Sequence, residues 1–163
     1  MDEGLDTGDI ILDVELPIKA EDTYQDLEKN LSQLGKTLLP EFFTKLSTAA
    51  RPQDNSQATY AHKIDKAEAK IDWYDDAQLI NQKIRALNPN PGAWFEMGGK
   101  RIKVMSSQVI EMGGNPGEIL NDECVIACGQ NALQPTTLKK EGKGLVTLAE
   151  FLKGNKVTAG TQL

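Results

Sequence analysis

The sequence predicts an α+β fold in which the end of a larger α/β domain precedes a small β-barrel. Residues 12–16 alternate apolar and acidic side chains, and a single long amphipathic stripe follows them. Residues 49–59 are polar and without periodicity, whereas residues 93–138 contain short β-type runs separated by turn residues. We therefore expect three parts: a leading part at 1–48, a linker at 49–59 and a barrel domain at 60–163.

The leading part is expected to contain one strand and one helix. Residues 12–16 have the alternation of a strand with one buried face, and Thr23 is a suitable helix N-cap. The apolar stripe then runs over residues 24–46, with Pro40 inside it, which predicts a kink or break near residue 36. A sheet edge and one helix cannot bury a core, so this part is interpreted as the tail of a larger α/β domain.

The barrel domain is expected to contain a helix, five or six short strands and a second helix. The first helix carries Ala77, Ile80, Ile84 and Leu87 on one face. A T-x-x-E capping box at residues 147–150 predicts the last helix at 148–153. A Gly98-Gly99 hairpin and further turns separate the predicted strands at 93–97, 102–105, 107–110, 117–120, 123–128 and 133–138.

Composition excludes several classes of protein. The 163 residues are 39% hydrophobic and 26% charged, so the chain is not disordered as a whole. No apolar run approaches the ~20 residues of a membrane span, and the acidic N-terminal segment is not a secretory signal. Two cysteines in a chain of this length indicate a reducing compartment, and we expect a cytoplasmic protein.

Charge differs strongly between the two halves. Residues 1–59 carry 5 basic and 12 acidic side chains, and residues 60–163 carry 13 basic and 12 acidic ones, which gives net charges of −7 and +1. Clustered cations suit a phosphate backbone, although charge alone favours ordinary solvated surface. Two clusters contain the candidate nucleic-acid-binding residues: Arg101 and Lys103, which face away from Ile102 and Val104, and Lys139, Lys140 and Lys143.

The remaining reactive or aromatic side chains favour structural roles. His62 is expected at the surface. Cys124 and Cys128 are expected on one face of a strand as buried free thiols, and no partners are spaced to complete a metal site. Three aromatic side chains could stack on nucleobases or join the helix to the barrel core, and the second role is favoured: Trp73, Trp94 and Phe95.

Several motifs resemble one enzyme family. The loop Gly4-Leu5-Asp6-Thr7-Gly8 is similar to the folate-site loop of formyltransferases that use 10-formyltetrahydrofolate. Residues 84–95 (IRALNPNPGAWF) and 69–73 (AKIDW) follow the same family, although Asn90 stands where tryptophan is usual. Residues 138–154 are most similar to the members that formylate methionyl initiator tRNA. The resemblance implies a Rossmann-like catalytic domain, here partial, followed by an OB-like barrel.

The resemblance also implies roles for individual residues. Asp6 matches the catalytic aspartate, which would orient a histidine and a water to relay a proton from the attacking amine. Gly4, Leu5, Asp6, Thr7 and Gly8 would contact the folate. The family's catalytic Asn and His lie upstream of this loop, so we expect a fragment that is inactive alone.

The expected partner is initiator methionyl-tRNA, held by the barrel through the five candidate cations. We expect no membrane association and no metal. The family is expected to be monomeric, with self-association of the fragment through its uncovered stripe as a further expectation. Two alternatives stay open: a non-catalytic RNA-binding module, and a fragment of a related nucleotide-sugar formyltransferase or formyltetrahydrofolate hydrolase.

Overall fold

A computed structural model describes residues 3–45 and 50–163. The fold is α+β, with three α-helices, a short 3₁₀ helix at Asn55–Gln57 and five strands in these residues. The helices are α1 (Tyr24–Lys45), α2 (Ala77–Leu87) and α3 (Leu148–Lys153). The strands are β1 (Trp94–Met97), β2 (Lys100–Ile110), β3 (Ile126–Ala127), β4 (Ala132–Lys140) and β5 (Leu145–Thr147).

The chain divides into two compact units. One comprises the described residues up to 22 and from 26 to 63, and the other comprises residues 23–25 and 64–163. Among the described residues, none before Ala69 is buried, and the hydrophobic core lies between Ala69 and Val157. The first unit therefore lacks a core of its own, as the sequence predicted for an isolated strand and helix.

The strand predicted for the first unit is wrong, and so is the break that was the alternative to a kink near residue 36. α1 continues through Pro40, because one missing N–H removes one hydrogen bond while the helix continues on both sides. Residues 12–16 form no strand, since only Ile10 pairs with Arg51, through two backbone bonds of 2.8 and 2.9 Å. Residues 12–16 have no partner strand among the described residues to complete a ladder.

The second unit is built on a curled antiparallel half-barrel. Its strand order is β1-β2-β4-β3, and β5 pairs with β4 on the same side as β3. Gly98 and Gly99, both with positive φ (58° and 68°), form the tight turn of the predicted β1–β2 hairpin. No pairing between β1 and β3 or β5 occurs in the described chain, so the predicted barrel is an open one.

Strand boundaries differ from the prediction where the backbone is irregular. β2 joins two predicted strands, because irregular pairing on either side of Ser106 carries the ladder across the expected gap. Residues 117–120 make only single bridges, from Glu118 to Gln162 and from Ile119 to Ile126. Cys124 has φ +56° and precedes the two-residue β3, so the two cysteines do not share a regular strand. β5 was not predicted as a strand.

Both predicted helices of this unit are confirmed. Asp76 caps α2 by accepting a 2.7 Å hydrogen bond from the Gln78 amide, and Thr147 and Glu150 form the capping box of α3. The apolar face of α2 (Ala77, Ile80, Ile84 and Leu87) is buried in the core. The rings of Trp73 and Phe95 meet edge to face at 5.6 Å, which confirms the core role of these two aromatic residues.

Both cysteines are free and buried, as predicted. Burial raises the pKa of the Cys124 thiol to about 11. Burial also raises the pKa of Cys128, to about 12, and the nearby Asp76 carboxylate adds to this shift. Both thiols are therefore neutral at physiological pH and are not prepared for nucleophilic chemistry.

Candidate functional site

A basic groove lies on the second unit, where the outer face of the sheet meets the segment before α2. It has a volume of about 650 Å³, and five of its lining residues are cationic whereas only one, Glu141, is acidic. Such an excess of one charge focuses a positive potential into the groove. The lining residues are Ile64, Lys66, Ala69, Asn90, Pro91, Trp94, Arg101, Lys103, Lys139, Lys140, Glu141 and Gly142.

Strand register explains why these cations are adjacent. Lys103 lies directly opposite both Trp94 of β1 and Lys139 of β4, so all three side chains share one face of the sheet. Arg101 lies two residues before Lys103 and shares that face. Lys140 pairs instead with the buried Ile102 and extends from the opposite face.

The predicted cationic side chains differ in their contacts within the protein. The Nζ of Lys103 donates a hydrogen bond to the carbonyl of Pro91. The Nζ of Lys140 donates to Oδ1 of Asn155 and lies 5.1 Å from the centre of the Phe151 ring. Lys139 is exposed, and no hydrogen-bond or ion-pair partner of its Nζ lies in the described parts of the chain. Lys143 is exposed but does not line the groove.

Arg101 is held by an aromatic ring. Its Cζ lies 4.0 Å from the centre of the Trp94 ring, so the guanidinium covers the ring face in a cation–π contact. Trp94 is only 8% exposed, and its Nε1 donates to the Lys66 carbonyl at 3.3 Å. The sequence favoured a structural role for Trp94, whereas in the structure this residue lies both in the core and beneath the groove.

Lys66 is a groove residue that the sequence analysis missed. It precedes α2 and is far in sequence from the two clusters considered. It reaches the groove because its segment runs alongside β1 in space. Two hydrogen bonds fix that path: Ile71 N donates to Trp94 O at 2.7 Å, and Trp94 N donates to Ala69 O at 2.9 Å. The basic spacing of Lys63, Lys66 and Lys70 was a usable signal.

The predicted folate loop lies on the first unit. Gln53 holds it by donating from Nε2 to the carbonyls of Asp6 and Gly8, at 2.9 and 2.6 Å. A Cβ on Gly4 would approach Thr7 Oγ1 within 2.5 Å, so a larger residue there would force the Thr7 side chain to move. Leu5 is 96% exposed at the tip of the loop, and Asp6 is exposed beside it with φ +58°.

Other chemistry finds little support in the described residues. His62 is exposed, as expected. Residues 3–45 and 50–163 contain no group of three or more His, Cys, Asp or Glu side chains that could hold a metal ion. None of the helices in those ranges combines the length and apolar character that a membrane crossing requires.

An α+β unit whose half-barrel carries a basic groove suits a polyanionic ligand. The family profile described as "Formyl transferase, C-terminal domain" matches residues 63–156, and that described as "Formyl transferase" matches residues 1–43. The chain belongs to the formyl transferase family, which confirms the resemblance found in its motifs.

The relatives of this chain include methionyl-tRNA formyltransferases from several bacteria. That of Ruegeria pomeroyi is 43% identical over 164 residues, covering 100% of this chain and 54% of the relative. That of Paramagnetospirillum magneticum is 40% identical over 167 residues, covering 100% and 55%. The chain thus spans about half the length of these curated relatives.

A solved structure shares the fold. HypX from Aquifex aeolicus, in complex with tetrahydrofolic acid, matches with a TM-score of 0.66 and 22% identity, covering 99% of this chain and 32% of that one. At this identity the likeness concerns the fold alone.

Proposed function

We propose that this chain is the tRNA-holding part of a methionyl-tRNA formyltransferase. That enzyme would transfer a formyl group from 10-formyltetrahydrofolate to the amino group of methionyl initiator tRNA, in the cytoplasm. The names of relatives that are 43% and 40% identical across the whole chain support this reaction over the nucleotide-sugar and hydrolase alternatives. The basic groove is the observation that carries the RNA-binding half of the proposal.

The charge arrangement of the groove supports a polyanionic ligand. Lys103 and Lys139 are directly opposite across two strands, and like charges in that position destabilise a sheet. A bound phosphate between them would offset this repulsion, and it would release counterions from the RNA. Lys66 and Lys139 supply point charges, which give affinity and orientation with little sequence information.

The candidate cations are therefore not equivalent in this proposal. Lys139 and Lys66 would contact phosphates most freely, because neither Nζ has a partner in the described chain. Lys103 would keep its bond to Pro91 and add charge from the groove wall. Lys140 would act mainly in packing against Phe151, and Lys143 would contribute at the edge.

The folate loop is proposed as one wall of the formyl-donor site. Leu5 would provide apolar surface to a flat pterin, and the Asp6 carboxylate would help remove a proton from the attacking amine. Gly4, Thr7 and Gly8 would let the backbone approach the ligand closely. The bound donor supplies the formyl group itself. The near-complete exposure of Leu5 fits a wall whose opposite side comes from outside the described residues.

A chimaera tests the proposed role of Asp6. The part of the Ruegeria pomeroyi enzyme that this chain does not match would be joined to this chain, and formylation of methionyl-tRNA would be measured. We expect activity in the chimaera and a fall of about 10²–10⁴-fold in its Asp6→Asn variant. Equal activity of the two proteins would remove Asp6 from the reaction.

Salt-dependent titration tests the groove. Fluorescently labelled initiator tRNA is titrated with the wild-type chain and with Lys66→Ala/Lys139→Ala. Each lost phosphate contact should flatten the plot of log affinity against log salt by about 0.7–0.9, so the double variant should lose roughly 1.4–1.8.

The matched control is Lys153→Ala/Lys156→Ala, which removes the same charge outside the groove lining. Its slope should stay close to the wild-type slope. If both double variants behave alike, net charge rather than the groove governs binding, and the proposed interface is wrong.

We also keep the division into residues 1–48, 49–59 and 60–163 as a proposal. The start of the C-terminal family match at residue 63 supports it, and so does the exposure of nearly all described residues from 50 to 63.

A further inference from the structure

On the outer face of the β1–β2 hairpin, the planar guanidinium of Arg101 is stacked on the ring of Trp94. Arg101 covers the face of Trp94 at 4.0 Å, a distance too short for an approach at the ring edge. Arg101 itself is exposed, so the side of the guanidinium away from Trp94 faces the groove. The two side chains form a stack of two layers with an open third position.

Trp94 is a rigid support for this stack. Its backbone N–H donates to the Ala69 carbonyl, and its backbone carbonyl accepts from the Ile71 N–H. Its indole N–H donates to the Lys66 carbonyl. Trp94 as a whole is only 8% exposed. An Arg side chain held over a fixed ring loses less conformational freedom on binding a ligand than a free one does.

The guanidinium has its hydrogen-bonding capacity still available. In the described parts of the chain, no carboxylate lies within ion-pair distance of Arg101, and no acceptor receives its N–H groups. Its cross-strand neighbour Glu96 makes no ion pair with it. Guanidinium planes stack on unpaired nucleobases, whereas lysine ammonium groups act as point charges.

We infer that Arg101, stacked on Trp94, is a platform for an unpaired nucleobase of the bound RNA. This inference rests on the proposed RNA-binding function and adds a second kind of contact to it. Lys66 and Lys139 border the same groove and would hold the phosphates that flank this base. The groove would then select RNA in which a base is available for stacking, rather than any polyanion.

A charge-conserving substitution tests the platform. Arg101→Lys keeps the cation but removes the plane, and Arg51→Lys is the matched control on an exposed arginine outside the groove. Affinities for hexa-adenylate, for an abasic ribose-phosphate hexamer and for initiator tRNA are measured at several salt concentrations. We expect Arg101→Lys to weaken hexa-adenylate binding roughly 5- to 100-fold, with an unchanged salt slope and unchanged binding of the abasic hexamer.

Other outcomes separate the inference from the function beneath it. Equal affinity of wild type and Arg101→Lys for hexa-adenylate overturns the platform, and so does an equal loss on the abasic hexamer, since the side chain would then contact phosphate only. If the wild type fails to bind tRNA while Arg101→Lys still weakens hexa-adenylate binding, the proposed function fails and the platform stands. Absence of binding to all three probes overturns both. Near-ultraviolet circular dichroism, dominated by the two tryptophans, checks that each variant is folded.

Discussion

Gly129 fixes the position of the segment that leads into α2, and adding one methyl group there should strongly destabilise the domain. A Cβ on Gly129 would lie 2.0 Å from the Tyr74 carbonyl oxygen and 3.3 Å from that of Asp75, both rigid backbone atoms. The two segments must therefore separate. Two hydrogen bonds cross this contact: Gly129 N to Asp75 O at 2.9 Å, and Ala77 N to Gln130 O at 3.0 Å.

The expected cost follows from these contacts. Two backbone hydrogen bonds contribute about 0.5–1.5 kcal/mol each, and overpacking costs about 1–3 kcal/mol, so Gly129→Ala should lower the free energy of unfolding by roughly 2–6 kcal/mol. Urea unfolding followed by fluorescence of the buried Trp73 and Trp94 measures this loss. With the slope of unfolding free energy against urea that is usual for a small protein, the urea concentration at the unfolding midpoint should fall by about 1 M or more.

Gly144→Ala is the matched control. A Cβ at residue 144 would have no heavy atom within 4 Å, and Gly144 is not among the glycines with positive φ. Its effect should stay within about 0.5 kcal/mol. If Gly129→Ala unfolds at the same midpoint as Gly144→Ala, the close approach at Tyr74 is not a constraint and the reasoning fails.

Three further predictions concern the capping box, the thiols and the linker. Thr147→Ala should cost about 1 kcal/mol in urea unfolding, because α3 loses its N-cap, and Thr147→Ser should restore most of it. Because burial raises the pKa of Cys124 to about 11, the thiol contributes stability that is complete below the ordinary value of 9.0 and is lost as the pH rises toward 11. Between pH 8 and pH 11 the free energy of unfolding should therefore decline less in Cys124→Ala/Cys128→Ala than in the wild type. Limited proteolysis should cut first within residues 50–58, and early cleavage inside residues 93–138 would contradict the proposed division.

Local signals predicted the elements whose formation depends on nearby residues. The α2 face, the double-glycine hairpin and the Thr147 capping box are each encoded within a few residues of sequence, and all three are confirmed. Residues 12–16 had an equally clear alternation but form no strand, because a ladder needs a partner that alternation cannot supply. The continuity of β2 depends on irregular pairing with β4, which a run of side chains does not reveal.

The candidate groove was also predictable only where it depends on nearby residues. Period-two alternation correctly put Arg101 and Lys103 on the outer face of their strand. It could not show that Lys66 approaches them, since that contact depends on a segment 30 or more residues away crossing beside β1. Alternation separates Lys139 from Lys140 only when both lie in a strand, and the predicted strand ended at residue 138, whereas pairing with β2 extends β4 to Lys140.

The cross-strand pair of Lys103 and Lys139 makes salt act on this domain in two opposite directions. Added salt screens the mutual repulsion of the groove cations, so the free domain should melt at a higher temperature as ionic strength rises. The same salt would weaken the proposed RNA binding and remove the stabilisation that a ligand of the folded state provides. In the presence of RNA the melting temperature should therefore pass through a minimum as salt increases, falling while the ligand dissociates and rising again once the groove is empty.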